Sequence, residues 1–340
     1  MENKKERIEG IVFARACCAI GIIIYHYFCH SNTSFSFLYT SANSEWGWMF
    51  VTVFFAISGA VLYYNYPQDY SLKSFYFKRW KSIFPAFYMC FLFFFLKNVF
   101  AYHSVFYFGK SRILFSLFGM DGYFLYRFPN YYLVGEWFLG AIIMLYVMYP
   151  LLSWVMNKNQ IIIPVVLIAG YVWMLCTDFF VIEDFRNMIT CTATFYFGMV
   201  ALRYKDFFFK NKIVGIVSSL ILVFLCCVRL PQLVFIYQIQ GFALMIVLIQ
   251  VGNMIMTTKV KSVFSEISKL SFCIFLFQHI IILDIQGVCN PQAWYKILVV
   301  LGATIILTII CAKVLSIVAD YFLQSRFFKK IDSKIIKERK

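Results

Sequence analysis

Long apolar runs alternate along this chain with short polar segments that are mostly basic. The first run, Ile11 to Cys29, follows the polar start MENKKERIEG. A helix needs about 20 apolar residues to cross the hydrocarbon core of a bilayer. Candidate spans of that kind lie at 11–30, 46–65, 83–102, 132–156, 161–177, 188–203, 213–229, 233–252, 267–286 and 295–319, the fifth and sixth being the shortest. The pattern predicts an all-α integral membrane protein, a bundle of about ten transmembrane helices. No small-residue cleavage site follows the first run, so it reads as a retained helix and not a cleaved signal. The longest stretch between spans, about 103–131, is rich in aromatic residues and reads as lying at the interface or re-entering the bundle. No internal repeat of the kind found in transporters is visible.

Composition agrees with the pattern and narrows it. The 340 residues are 62% hydrophobic, 21% aromatic and 14% charged, against about 45–50% apolar and about 25% charged in soluble domains. A soluble enzyme, a disordered chain, a collagen and a disulfide-built secreted domain are excluded, and the lipid bilayer is the expected surroundings. The spans leave no room for an appended soluble domain of about 100 residues. The expected organisation is one polytopic domain, 1–325, with a basic cytoplasmic tail, 326–340. The formal charge of +15, from 31 Lys and Arg against 16 Asp and Glu, would suggest nucleic acid in a soluble protein. Here it follows loop position instead. With a cytoplasmic N-terminus, the outer segments carry only Lys97, Lys110, Arg112, Arg127, Arg186, Arg229 and Lys296, while the inner ones hold nearly all the rest. That alternation places both termini in the cytoplasm and removes the case for a nucleic-acid partner. The 11 cysteines show no CxxC or Cys/His metal spacing; Cys29 and Cys289 both fall near the outer face, where a bridge between them is one option.

Charges inside the apolar runs need a reason, because each costs several kcal/mol in hydrocarbon. Arg15 and His26 lie in the first run. Their spacing is about three helical turns, roughly 20° from full register and about 16 Å along the axis, so both side chains share one face. A fixed cation thus precedes a titratable base. The pair equally fits an arginine that reaches lipid phosphates and a histidine hydrogen-bonded in the bundle. His30, one turn further on, and His103 read as interfacial. Lys78, Arg79 and Lys81 cluster ahead of the 83–102 span, with Pro85 in its first turns; they suit a polyanion such as coenzyme phosphates, or topogenic charge and anionic lipid. Glu136 opens the 132–156 span, as a helix-terminal charge or as an acid/base or hydroxyl-binding group. His279, beside Gln278, is a structural amide partner or a second histidine lining the cavity of His26.

Five segments in order carry a resemblance. RIEGIVFARACCAIGIIIYHY, with Arg15 and His26, FFAISGAVLYY at 54–64, FKRWKSIFPAFY at 77–88, GEWFLGAIIMLYVMYPLL at 135–152 and LSFCIFLFQHII at 270–281 together resemble the membrane acyltransferase-3 family, bacterial O-acyltransferases of cell-envelope glycans. One departure stands out. The family's basic block has two arginines three apart, whereas Arg79 is followed at that spacing by Ser82, with Lys81 beside it. A lysine is a point cation and does not reproduce a bidentate arginine.

The resemblance implies transfer of an acyl group, acetyl by default, from a cytoplasmic acyl-CoA to a sugar hydroxyl. The acceptor would be a capsule or exopolysaccharide, or its lipid-linked precursor, handled at the bacterial cytoplasmic membrane. His26, Arg15 and Glu136 would serve catalysis; Arg15, Arg79 and Lys81 would hold the donor; Asp121, Glu136 and His279 would stand on the acceptor side. Acetyl-CoA or another acyl-CoA is a substrate here, with no bound cofactor and no metal expected. His26 would be a general base toward the hydroxyl or a transient acyl carrier. The main rival is a transporter or flippase of lipid-linked glycan, which predicts no acyl-CoA turnover.

Overall fold

A computed structural model describes residues 8–31, 36–68, 70–103, 109–231, 234–256, 258–289, 291–325, 328 and 331. Residues 104–108 of the aromatic stretch and most of the expected tail lie outside the described residues. The described chain is helical, with an isolated bridge between Thr40 and Glu45. Its α-helices are α1 (Glu9–His30), α2 (Trp46–Asn65), α3 (Leu72–Tyr102), α4 (Ile113–Leu117), α5 (Asp121–Phe124), α6 (Glu136–Lys158), α7 (Ile162–Cys176), α8 (Met188–Arg203), α9 (Lys212–Cys227), α10 (Val234–Ile255), α11 (Thr258–Val288) and α12 (Trp294–Leu323). Among the described residues, α1, α2, α3, α6, α10, α11 and α12 are long and apolar enough to cross a membrane, and α7, α8 and α9 are shorter apolar helices. A helix therefore occupies each expected span. The protein is an all-α integral membrane protein.

Two helices begin well before their apolar runs. α3 starts at Leu72, where the Ser71 hydroxyl accepts from the Ser74 amide at 3.4 Å. Lys78, Arg79 and Lys81 consequently lie within α3 and not ahead of it, and Pro85 is interior to the helix. α11 starts at Thr258, and its polar opening carries the Glu266–Lys269 pair at 2.6 Å. Hydropathy marks where lipid begins. Lysine, glutamate and arginine are good helix formers, so a helix runs on through polar sequence until a cap stops it. All 11 cysteines are free thiols, Cys29 and Cys289 included.

The chain divides into two compact units. The first comprises Met1–Pro67, Ile189–Ser271 and Gln278–Leu307. In it α1, α2 and α10 pack on one another, and α9 packs on α10. Small residues set these crossings. A Cβ on Gly59 would collide with the Phe195 carbonyl and one on Gly198 with the Ala56 carbonyl, so α2 and α8 touch backbone to backbone. Lipid provides no hydrophobic drive for helices to associate, and close backbone packing at small residues supplies it instead. Side-chain amides tie the helices together. Gln238 Nε2 donates to the Thr190 carbonyl at 3.0 Å and the Thr194 hydroxyl at 2.8 Å. Asn43 Nδ2 donates to the Leu225 and Val228 carbonyls at the end of α9, at 2.5 and 2.6 Å. The Gly10 amide, at the start of α1, donates to Asn253 Oδ1 at 2.9 Å.

The second unit comprises Gln68–Met188, Phe272–Phe277 and Thr308–Lys340. α6 packs on α3, α5 and α7. The Tyr76 hydroxyl of α3 donates to the Val147 carbonyl of α6 at 2.9 Å. Gly122 of α5 lies so close to the Glu136 backbone that a Cβ there would overlap it. Asp121, Gly122 and Tyr123 are buried. This part of the aromatic stretch is therefore folded into the unit and does not lie flat at its surface.

Candidate functional sites

Within the first unit, α1 is regular from Glu9 to His30, so Arg15 and His26 share a stripe as their spacing requires. Both are half-buried, and their neighbours on that stripe, Ile11, Val12, Ala19, Ile22 and Ile23, are buried. On the opposite stripe Cys17, Ile20 and Ile24 are only half-buried. Phe13 and Phe28, on the side opposite Arg15 and His26, are buried as well, so protein packs against α1 on both sides.

His26 does not stand alone. The ring of His279, from α11, meets that of His26 at 4.9 Å in an edge-on arrangement. His30 meets His279 at the same 4.9 Å, and lies parallel to His26 at 6.1 Å. Gln278 is fully buried beside this group. The ring of Tyr25 lies edge-on to His26 at 4.8 Å, and the Tyr25 hydroxyl donates to the Glu45 carboxylate. Two of the sequence-derived candidates, His26 and His279, are therefore brought together. His30, expected only at an interface, joins them. The i, i+4 spacing of His26 and His30 was the available signal, because residues four apart share a helix face.

Within the second unit, Arg79 stacks over the Tyr146 ring at 5.7 Å and Lys81 lies over Phe77 at 5.5 Å. Both cations are half-buried. Asp121 and Glu136 are carried by segments in direct contact through Gly122. Asp121 is 1% exposed, and neither carboxylate oxygen has a hydrogen-bond partner among the described residues. Burial pushes its carboxyl up to about 6, against a smaller downward pull from Ser116. The Asn130 side chain donates to the Asp121 carbonyl at 2.8 Å, which secures the backbone. Glu136 follows Gly135 (φ 92°) and has itself a φ of 31°. A non-glycine residue in the left-handed region costs of order 1–3 kcal/mol and persists only where its surroundings enforce it.

Around Glu136 the structure adds groups that sequence reasoning missed. Burial, together with the Glu136 charge, pushes the Tyr132 phenol well above its ordinary value, against a smaller opposing effect of Arg186. Arg186 pairs with Glu183 at 3.1 Å and lies over the rings of Trp137 and Phe185 at 5.6 and 5.1 Å. The Tyr123 hydroxyl donates to the Arg186 carbonyl at 3.3 Å. Arg186 had counted only as one of the scarce outer cations. That scarcity was itself the signal, since a cation that breaks the loop rule needs another reason.

A polytopic helical membrane protein with a half-buried Arg–His stripe and a strained, carboxylate-bearing second site is the class these observations define. A family model described as an acyltransferase domain matches residues 8–313, nearly the whole chain. The chain belongs to this acyltransferase-3 family, and it is a membrane acyltransferase. Comparisons with curated proteins and with solved structures returned no match.

Proposed function

We propose that this acyltransferase is an O-acetyltransferase of the bacterial cytoplasmic membrane. It spans the membrane about ten times, with both termini inside, and moves acetyl from cytoplasmic acetyl-CoA to a sugar hydroxyl of a capsule, an exopolysaccharide or its lipid-linked precursor. The observation that carries this reading is the common face of α1 on which a fixed cation, Arg15, and an imidazole, His26, are both half-buried, the latter against the ring of His279. Arg15 would neutralise anionic groups of the donor. His26 would take the proton of the attacking hydroxyl as the C–O bond forms and the C–S bond to coenzyme A breaks, the thiolate leaving with a proton. General-base assistance of that kind contributes about 10²–10⁴-fold. Arg79 and Lys81 contribute to holding phosphates, where charge-assisted hydrogen bonds are strongest. Asp121 and Glu136 bind or activate the sugar, and Trp137 and Tyr132 offer it aromatic surface.

The test is mass analysis of envelope glycan from cells that lack the gene and are complemented with wild type or with His26→Ala. Acetyl is expected with the wild type and not with the variant, at equal protein level in the membrane. Normal acetylation by His26→Ala overturns the mechanism. Loss of the gene without change in glycan acylation overturns the acceptor class. A flippase acting without acyl chemistry predicts a change in glycan amount with no change in acyl content.

A further inference from the structure

No metal spacing is visible in the sequence, yet the fold collects three imidazoles. His26, His30 and His279 each offer a ring nitrogen, and these atoms all lie within 4.8 Å of one another. We propose that these three histidines form a binding site for a borderline-soft divalent transition ion, with Zn2+ as the best fit. The assignment stands on geometry and does not depend on the acetyl-transfer reading.

The residue types and their placement suit such an ion. Neutral imidazole is a natural ligand of zinc. Two histidines at i and i+4 on one helix face make the two-ligand unit that helical zinc sites use. Here α1 supplies that unit and α11 supplies the third ligand, its ring nearly perpendicular to both others, at 70° and 80°. Three protein ligands leave a fourth position for water or another oxygen. In a tetrahedral site with Zn–N bonds of about 2.0–2.1 Å, the nitrogens stand roughly 3.4 Å apart. The rings must therefore close by about 1 Å, within the reach of small side-chain rotations. Tyr25, whose ring lies edge-on to His26, donates its hydroxyl to the Glu45 carboxylate, which links the group to a carboxylate through one side chain. The site falls outside sequence pattern recognition because its third ligand is on another helix, far along the chain.

An ion held there would occupy the His26 lone pair. Where acetyl transfer uses His26 as its base, as proposed above, zinc is then an inhibitor, and removing His30 relieves the inhibition without touching the base.

The experiment uses the full-length chain without a histidine tag, in detergent, stripped with a chelator. Zn2+ is titrated in competition with a chromophoric chelator, and Co2+ absorption reports the coordination geometry. One ion per chain is expected, with the intense visible bands of a tetrahedral cobalt site. Loss of a supporting partner outside the ligand shell costs about 10–100-fold in affinity, so loss of a ligand in His30→Ala or His279→Ala is expected to weaken zinc by about 100-fold or more. Equal zinc affinity in the wild type and His30→Ala, or octahedral cobalt spectra in both, overturns the site. The second arm measures acetyl transfer by stripped protein with and without zinc. Inhibition of the wild type and resistance of His30→Ala support the consequence; activation by zinc overturns it. Tight three-histidine binding with no acetyl transfer under any condition supports the site and overturns the reading under Proposed function.

Discussion

In the first unit the reactive side chains ride on unstrained helices; in the second, Glu136 sits where the backbone is bent out of its ordinary range. Arg15, His26 and His30 take their positions from the 3.6-residue period of α1, and His279 reaches them from α11. Asp121 and Glu136 take theirs from a short α5 pressed against the first turn of α6, with Gly122 at the contact and positive φ at Gly135 and Glu136. The first arrangement holds an imidazole between packed helices. The second holds two carboxylates, one of them, Asp121, buried. A base that must be neutral gains from burial, whereas a carboxylate that meets a sugar needs a backbone that presents it. Under the proposed acetyl transfer, proton chemistry would fall to the first unit and acceptor recognition to the second.

The sharpest way to break this division is to remove one reactive group from each unit. His26→Ala is expected to lower acetyl turnover by about 10²–10⁴-fold at saturating acceptor. Glu136→Gln removes one charge-assisted hydrogen bond, about 1.5–3 kcal/mol, and is expected to cost about 10–100-fold, mainly through the KM of the acceptor. A larger loss of turnover in Glu136→Gln than in His26→Ala would reverse the assignment.

The next comparison is of packing. Gly122→Ala and Gly198→Ala each place a Cβ inside a neighbouring backbone. Overpacking of that kind costs about 1–3 kcal/mol, read as a lower midpoint of thermal unfolding in detergent. Only Gly122→Ala should also raise the acceptor KM, because only it displaces Glu136. Donor binding gives a smaller effect. Arg79→Ala is expected to raise the KM for acetyl-CoA about tenfold, the equivalent of one charged hydrogen bond, with little change for the acceptor. An unchanged donor KM refutes that role.

The smallest effect is a pH slope. The Asp121 carboxyl, at about 6 in the fold against 3.8 ordinarily, binds its proton more tightly folded than unfolded. Stability from this group is full below about pH 4, falls as pH rises toward 6 and is level above. Asp121→Asn should flatten the slope of unfolding midpoint between pH 4 and 6 and raise the midpoint above 6. An unchanged slope would show that Asp121 is not the group responsible.

Much of the fold was legible because lipid imposes a simple rule. Backbone groups in hydrocarbon must pair within their own segment, so apolar length alone predicts helices. The α2 and α8 bounds coincide with the expected 46–65 and 188–203. Bounds failed at α3 and α11, where polar helix formers extend the element beyond the part that hydropathy detects. Arg15 and His26 were legible because both ride one helix and period alone sets their relation. Tyr132 and Arg186 were not, because their partners come from segments distant in sequence.

By itself, then, the sequence determined the class, the helices, the family and the common face of Arg15 and His26, all of which follow from local period, apolar length or ordered motifs. Only the tertiary structure decided that this face is half-buried, that the rings of His30 and His279 meet at His26, and that α5 packs against the bent backbone at Glu136. Those facts depend on which helices meet, and that depends on side-chain shape and small-residue contacts between distant segments, which no single segment encodes.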